Sequence, residues 1–545
     1  MEAKLLSCMA KVFQNEIPGR YAQMDTITGF LNESICFQLA YRSVQKTSFR
    51  IKLSGPGSVK LYRVQPVAVQ LPAYDSSDPD YLRYEPGLYP DFLDDCPPSL
   101  ILEADENWRS LFLEVEPGIL SAGLHRFEII LSDLSGNTLC EKMPLVRVIG
   151  AELPDHGLIY TRWFHCDALS SYYGVPVFSE AHWKTIENFL HKAVQRGMNM
   201  VLTPIHTPPL DTDTGAERQT VQLVKVIRSD PERYAFDFTL LDRWIQLCVR
   251  CGIKYFEMAH LYTQWGAAAA PKIVAWTPDG EKRIFGWDTP ACGTEYRVFL
   301  GQYLPALTAH LQALGVSERC YFHISDEPNK ENRDAYLAAK HQAAQYLRGF
   351  PLIDALSDVS FWDDGTVDCP IAATDAIDPF LKRNVPGLWA YYCCGQHRDV
   401  SNSFIAMPGE RTRILGAQLY KYQISGFLQW GYNFYYGRNS RYPINPYRTS
   451  DGDGCWPAGD PFLVYPSADG HAMDSLRGLL TQKAFDDVRA LRLLESLAGR
   501  DCVLSLLNRT LGEDLSFSAW PRGEKAFLEF RSNLEYEIMK NIGLK

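Results

Sequence analysis

The sequence predicts a multidomain α/β protein: an N-terminal β-sandwich, a (β/α)8 TIM-type barrel, and a short C-terminal extension. Three observations predict it. Short β-rich runs without long helical periodicity fill the first 150 or so residues; three helix, glycine, strand units then follow in succession; and the candidate strands from Leu158 onward number eight. The expected boundaries are 1–152, 153–500 and 501–545.

In the first region the runs Ile35 to Tyr41, Val59 to Val69, Leu111 to Val115, Phe127 to Leu131 and Leu145 to Ile149 are divided by Gly, Pro, Asp and Ser. Tyr74 to Pro98, rich in Asp, Tyr and Pro, reads as a long loop against the next domain, too irregular for a strand pair. After Pro154, Ser179 opens a helix with Trp183, Ile186, Phe189, Leu190, Ala193 and Val194 on one face; Gly197 closes it before Met198 to Thr203. Leu240 to Cys251, Gly252 and Ile253 to Met258 repeat the unit, and a helix ending at Leu314, Gly315 and Cys320 to Ser325 repeat it again. Successive units of this kind imply parallel strands. Leu158 to Phe164, Leu352 to Leu356, Pro370 to Ala373, Gly387 to Cys393 and Gly426 to Phe434 complete eight. A doubly wound open sheet is the rival, weakened because no GxGxxG follows a strand. Tyr436 to Pro466 reads as a long loop, Met473 to Leu497 as a closing helix, and 500–545 as a weakly alternating β extension or tail.

Composition narrows the function. With 46% hydrophobic and 22% charged residues among 545, the chain has an ordinary globular balance; its net charge of −11, without a Lys/Arg stripe, argues against nucleic acid. The N-terminus carries Glu2, Lys4 and Lys11 and no sustained apolar stretch, so neither a signal peptide nor membrane insertion is expected, and the expected location is cytoplasmic. Fourteen scattered cysteines suit reduced thiols. The Cys248/Cys251 CxxC lies in a helix without a second pair, so no metal or other cofactor is expected.

In a barrel the chemistry sits at the C-terminal ends of the strands. Those ends offer His165, His206, Glu257, His323, Trp389, Tyr391, Trp430, Tyr432, Asn433 and Tyr435, with Asp451 in the loop after strand eight. Aromatic rings among acids, without a phosphate loop, suit a glycan: sugar faces stack on rings and hydroxyls pair with carboxylates. The sharpest feature is Tyr321 to Pro328, YFHISDEP, a strand ending in adjacent acids, Asp326 and Glu327. Neighbours in a strand face opposite ways, so the two share a site only if the chain turns there, which Pro328 favours. Two carboxylates across a scissile bond stand about 5 Å apart in retaining and about 6.5–9.5 Å apart in inverting glycosidases. An adjacent pair suits another arrangement, in which the substrate's 2-acetamido oxygen attacks the anomeric carbon, Asp326 orients the acetamido group, and Glu327 serves as acid and then base. Alternatives are a glycosidase of another glycan that uses Glu257 or Asp451 as second carboxylate, and a non-catalytic carbohydrate-binding protein.

The strings HISDEP (323–328) and GFLQWGYNFYY (426–436), with the later GDG (452–454) and FLVYP (462–466), resemble glycoside hydrolase family 123 and its wider kin, domain-of-unknown-function family 4091. The resemblance covers roughly residues 155–500. It implies a β-sandwich followed by a (β/α)8 barrel, β-N-acetylgalactosaminidase activity by substrate assistance, and Asp326 and Glu327 as the family's Asp-Glu pair. The final helix departs from the family, with AFDDVR (484–489) where a Gly-x-x-Asp-Tyr-Glu pattern is usual.

Overall fold

The computed structural model describes residues 1–97 and 99–544. The first region is rich in strands. A five-stranded antiparallel sheet runs, in spatial order, through Glu2–Ser7, Ile35–Arg42, Arg109–Val115, Val59–Val69 and Gly87–Asp95. A four-stranded sheet, Thr138–Lys142, Glu128–Asp133, Thr47–Ser54 and Leu102–Ala104, shares a core with it: Phe37, Leu39 and Leu113 meet Phe49, Ile51, Ile129 and Leu131. The alternation that builds this is plain in Thr47–Ser54, where Phe49 and Ile51 are buried while Arg50 and Lys52 are exposed.

One expectation for this region is corrected. The Tyr74 to Pro98 segment is not loop throughout, because Gly87–Asp95 pairs antiparallel with Val59–Val69. The prolines of this strand pair are accommodated: Pro90 lies on an edge strand, and Pro66 opposite it follows a register shift, beyond the residues that pair with Arg109–Val115; Pro98 lies outside the described residues.

The second region is a nearly closed barrel of eight parallel strands: Ile159–Arg162, Met200–Thr203, Tyr255–Met258, Cys320–Phe322, Ile353–Leu356, Cys369–Ala373, Trp389–Tyr391 and Gly426–Gln429. The first pairs with the eighth, and the fourth meets the fifth at a single bridge, Phe322 to Leu352. Met200, Leu202, Ile353, Ile371, Trp389 and Leu428 pack together in the interior. A Cβ on Gly426 would come within 2.1 Å of the Trp389 ring, so the glycine makes room for the indole. The helices between strands begin and end on expected signals. The Ser179 side chain accepts the His182 N–H ahead of Glu180–Gln195, and Gly252, at φ +103°, closes Thr239–Cys251.

Two features depart from expectation. The loops after strands two and three carry a four-stranded sheet of their own, Arg233–Asp237, Lys225–Asp230, Ile273–Thr277 and Gly280–Phe285. The C-terminal segment is helical rather than β: after the closing helix Leu476–Ala498 come Arg500–Leu511 and Glu524–Asn541. Val503, Leu506, Leu507 and Leu511 form one buried face, met by Phe527, Phe530, Leu534 and Ile538.

Buried ion pairs join the regions. Arg477 reaches Asp91 at 2.9 Å, Arg196 reaches Glu114 at 2.9 Å, and Arg411 reaches Asp78 at 2.7 Å. Arg531 on the last helix bridges Glu33 and Asp487, each at 2.7 Å. No helix among the described residues is long and apolar enough to cross a membrane.

Candidate active site

The fourth strand stops at Phe322, earlier than expected, and the chain bends at Ile324, held by the Leu261 and Tyr262 N–H groups, which donate to the carbonyls of His323 (3.2 Å) and Ile324 (3.0 Å). The turn comes at Glu327, whose φ of +43° is rare outside glycine. It brings Asp326 and Glu327 to the wall of one cleft of about 660 Å³, open mouth included, at the C-terminal end of the barrel. Trp163, Trp265, Tyr391, Trp430 and Trp456 supply aromatic walls. The Trp265 N–H donates to the Asp326 carbonyl at 3.1 Å, tying the turn to the loop after strand three.

Electrostatics at this turn favour a retained proton. Burial raises Glu327 above the ordinary carboxylate range; the Tyr391 hydroxyl, donating to its Oε1 at 2.7 Å, opposes that, and Asp375 adds to it. Burial, then the Glu327 charge, raise Asp326 well above its usual value, against the pull of His323.

Beneath the pair lies a buried polar network. Glu257 accepts from Thr161 Oγ1, Trp163 Nε1 and His323 Nε2, each at 2.7 Å. The other His323 nitrogen meets Asp354 at 3.1 Å, and Asp354 also accepts from the Tyr336 hydroxyl. Burial alone would lower His323, but Asp354 and Glu257 outweigh it and raise the ring to about 9. His260 stacks on His323 with centroids 4.0 Å apart and planes 18° apart; burial and the neighbouring rings hold it neutral. His260, His323 and Asp354 bring ligand-type atoms within 4.8 Å of one another. The donor set does not fit an ion: stacked imidazoles aim their lone pairs side by side, and both His323 nitrogens are engaged.

His165 lines the cleft as a neutral ring, lowered to about 3 by burial and by Arg218. Arg218, paired with Asp167, donates to Nδ1 at 3.1 Å, which leaves the ring proton on Nε2 to donate to the Trp430 carbonyl at 3.0 Å. Trp430 donates its indole N–H to Asp460 at 2.8 Å.

Several residues singled out from the sequence lie elsewhere. Asn433 is buried and clamps the His165 backbone through both ends of its amide. Tyr432 and Tyr435 spend their hydroxyls on the carbonyls of Phe189 and Val464, each at 2.9 Å, because the chain bends outward after Trp430. His206 is buried against the His260 carbonyl, and Trp389 fills the barrel interior. Asp451 accepts the N–H groups of Gln70, Leu71 and Gly454, fastening the loop after strand eight to the first region. Glu257 and Asp451, expected as possible second carboxylates, are thus occupied. Sequence reasoning passed over Asp354, although a lone acid in the apolar strand Ile353–Leu356 was a visible signal. It also passed over Asp211 and Gln264, which line the cleft from loops.

Comparison with known proteins decides the family. The pattern described as "Glycoside hydrolase 123, catalytic domain" matches residues 163–494. The chain belongs to glycoside hydrolase family 123. Among solved structures, a family 123 glycoside hydrolase from Clostridium perfringens, studied for glycolipid glycan hydrolysis, aligns over 99% of this chain and 98% of its own at 16% identity and a TM-score of 0.75. A Parabacteroides merdae β-glucuronidase aligns over 82% of this chain and 50% of its own at 10% identity, with a TM-score of 0.30. No curated protein matches the sequence. The cleft of this family 123 chain lies at the C-terminal ends of the barrel strands, the face at which such barrels carry their active sites.

Proposed function

We propose that the protein is an exo-acting β-N-acetylhexosaminidase that releases terminal β-linked N-acetylgalactosamine with retention, through an oxazolinium intermediate. The N-terminal sheets act as a sandwich-like partner (1–152) to a (β/α)8 catalytic barrel (153–500). One observation carries the reading: Asp326 and Glu327 turn into the same cleft while Glu257, an acid of the buried network beneath them, is consumed by Thr161, Trp163 and His323.

In this mechanism Asp326 accepts the acetamido N–H and aims the acetamido oxygen at the anomeric carbon. The bond from that carbon to the leaving oxygen breaks as the new carbon–oxygen bond forms, and Glu327 gives its proton to the departing oxygen. Glu327 then takes a proton from the water that opens the oxazolinium, restoring the starting state. Two interacting buried carboxyl groups hold one proton between them more readily than none. The arriving acetamido N–H gives Asp326 a donor, which favours residence of the proton on Glu327. Tyr391 positions the carboxyl.

The test is a panel of chromogenic β-N-acetylgalactosaminides, β-N-acetylglucosaminides and β-galactosides. Because the Clostridium perfringens relative is described in terms of glycolipid glycans, a glycolipid headgroup belongs in the panel. Release of the β-anomer of N-acetylgalactosamine and inhibition by a thiazoline mimic are expected; full activity on a glycoside without the 2-acetamido group would overturn the mechanism. A second reading draws on Asp211, whose carboxyl also lines the cleft and which burial raises to about 6. It makes Asp211 the second carboxylate of a conventional pair and predicts rapid β-galactoside cleavage.

A further inference from the structure

Of the buried side-chain nitrogens and oxygens without a hydrogen-bond partner among the described residues, two belong to residues that line the cleft: Asp211 Oδ2 and Gln264 Nε2. Leaving such an atom unpaired costs about 1–3 kcal/mol, so two at one place mark where a ligand supplies the partners. The pair is held deliberately. The backbone N–H of Asp211 can only donate, and it donates to Gln264 Oε1, which fixes the amide orientation and leaves Nε2 as a free donor. Asp211 sits at φ +44°, a strained backbone for a non-glycine residue, and its carbonyl is held by the Ser440 hydroxyl at 2.7 Å. Gln264 is 5% exposed. His165, which lines the same cleft, is already committed to Arg218 and the Trp430 carbonyl.

We propose that Asp211 and Gln264 together read one ring hydroxyl of the bound sugar, Asp211 accepting its proton and Gln264 donating to its oxygen. A hydroxyl is both donor and acceptor, which a free acceptor beside a free donor matches; an ether oxygen or an apolar carbon would leave one atom unpaired. The pair thereby supplies selectivity for hydroxyl configuration, separate from the acetamido recognition assigned to Asp326. This inference rests on the cleft holding a pyranose, as the proposed function requires.

The experiment measures kcat/KM for the parent β-N-acetylgalactosaminide and its 3-, 4- and 6-deoxy analogues with wild type, Asp211→Asn and Gln264→Glu. Calorimetric binding of the free sugar and its deoxy forms is measured alongside. Gln264→Glu keeps the acceptor for the Asp211 N–H and removes the donor, so it remains informative if Asp211→Asn does not fold. Wild type is expected to disfavour one deoxy analogue by about 100-fold or more, because an enzyme that hydrogen-bonds a hydroxyl discriminates strongly against its absence. Both variants should lose most of that ratio by slowing the parent substrate, bringing it within about threefold of unity. A ratio that survives in both variants, or no discrimination in wild type, overturns the inference while leaving the proposed function standing. Equal loss on every substrate in Asp211→Asn, restored by azide or formate, also overturns it and makes Asp211 a nucleophile. Failure of wild type to bind any of the sugars removes both proposals together.

Discussion

Replacing Glu327 with Gln tests the proposed division of labour most directly. The amide keeps an oxygen that accepts the Tyr391 hydroxyl, now 2.7 Å from Glu327 Oε1, so the turn and the cleft wall are preserved while the transferable proton is lost. General acid catalysis contributes about 10²–10⁴-fold. At about 1.36 kcal/mol per factor of ten, that is about 2.7–5.4 kcal/mol of barrier. The loss should depend on the leaving group: kcat/KM should fall through the full range for an alkyl aglycone and by less than about tenfold for a dinitrophenyl aglycone, which departs without protonation. Asp326→Asn should behave differently, losing activity by a similar factor for both aglycones, because it orients the nucleophile rather than protonating the leaving oxygen. The assay is initial-rate kinetics over a series of aryl and alkyl glycosides, with melting temperatures to establish folding. Parallel losses for the two variants across the series would refute the assignment.

Tyr391→Phe removes the hydrogen bond that favours ionised Glu327, so the alkaline limb of the kcat/KM profile should move to higher pH; an unchanged limb would separate Tyr391 from the acid. Arg531→Ala takes the guanidinium from Glu33, Asp487 and Glu535 but leaves Lys483 on Glu33 and Arg413 on Asp487, so it should cost less than the about 3–5 kcal/mol of a fully broken buried pair, read as a lower denaturation midpoint. Glu33 is held down to about 2, since Arg531 and Lys483 outweigh burial. Its contribution is present above its ordinary 4.5 and is lost as pH falls toward 2; the variant should lose acid stability less steeply than wild type over that window.

The barrel was legible because parallel strands are short apolar runs bounded by glycine, and that signal is local. The position of the Asp-Glu pair just beyond the fourth strand was legible for the same reason. What lies beyond a strand end is decided by distant partners. Glu257 looked like a free acid because nothing near it in sequence announces Thr161, Trp163 or His323. Tyr432 and Tyr435 looked like cleft residues because a strand was extended past Gln429, where the chain in fact bends and pairs Asn433 with Phe462. The inserted sheet had a readable turn at Asp279 and Gly280, and the C-terminal helices had a readable helical spacing in Val503, Leu506, Leu507 and Leu511 where alternation was expected, so the signal for both lies in the sequence. Asp211 and Gln264 lie in loops, where side-chain direction follows from tertiary contacts alone.

Asp451 makes the molecule hard to dismantle. Its carboxylate grips Gln70 and Leu71, and Arg477 and Arg411 hold Asp91 and Asp78 the same way, so the loops around the cleft are braced by residues outside the matched span of 163–494. An excised barrel would carry three severed anchors and a slackened rim. Grafting or shuffling of this chain should therefore move both regions as one cassette, and substitutions that retune the rim will often have to be made in the region that does not line the cleft.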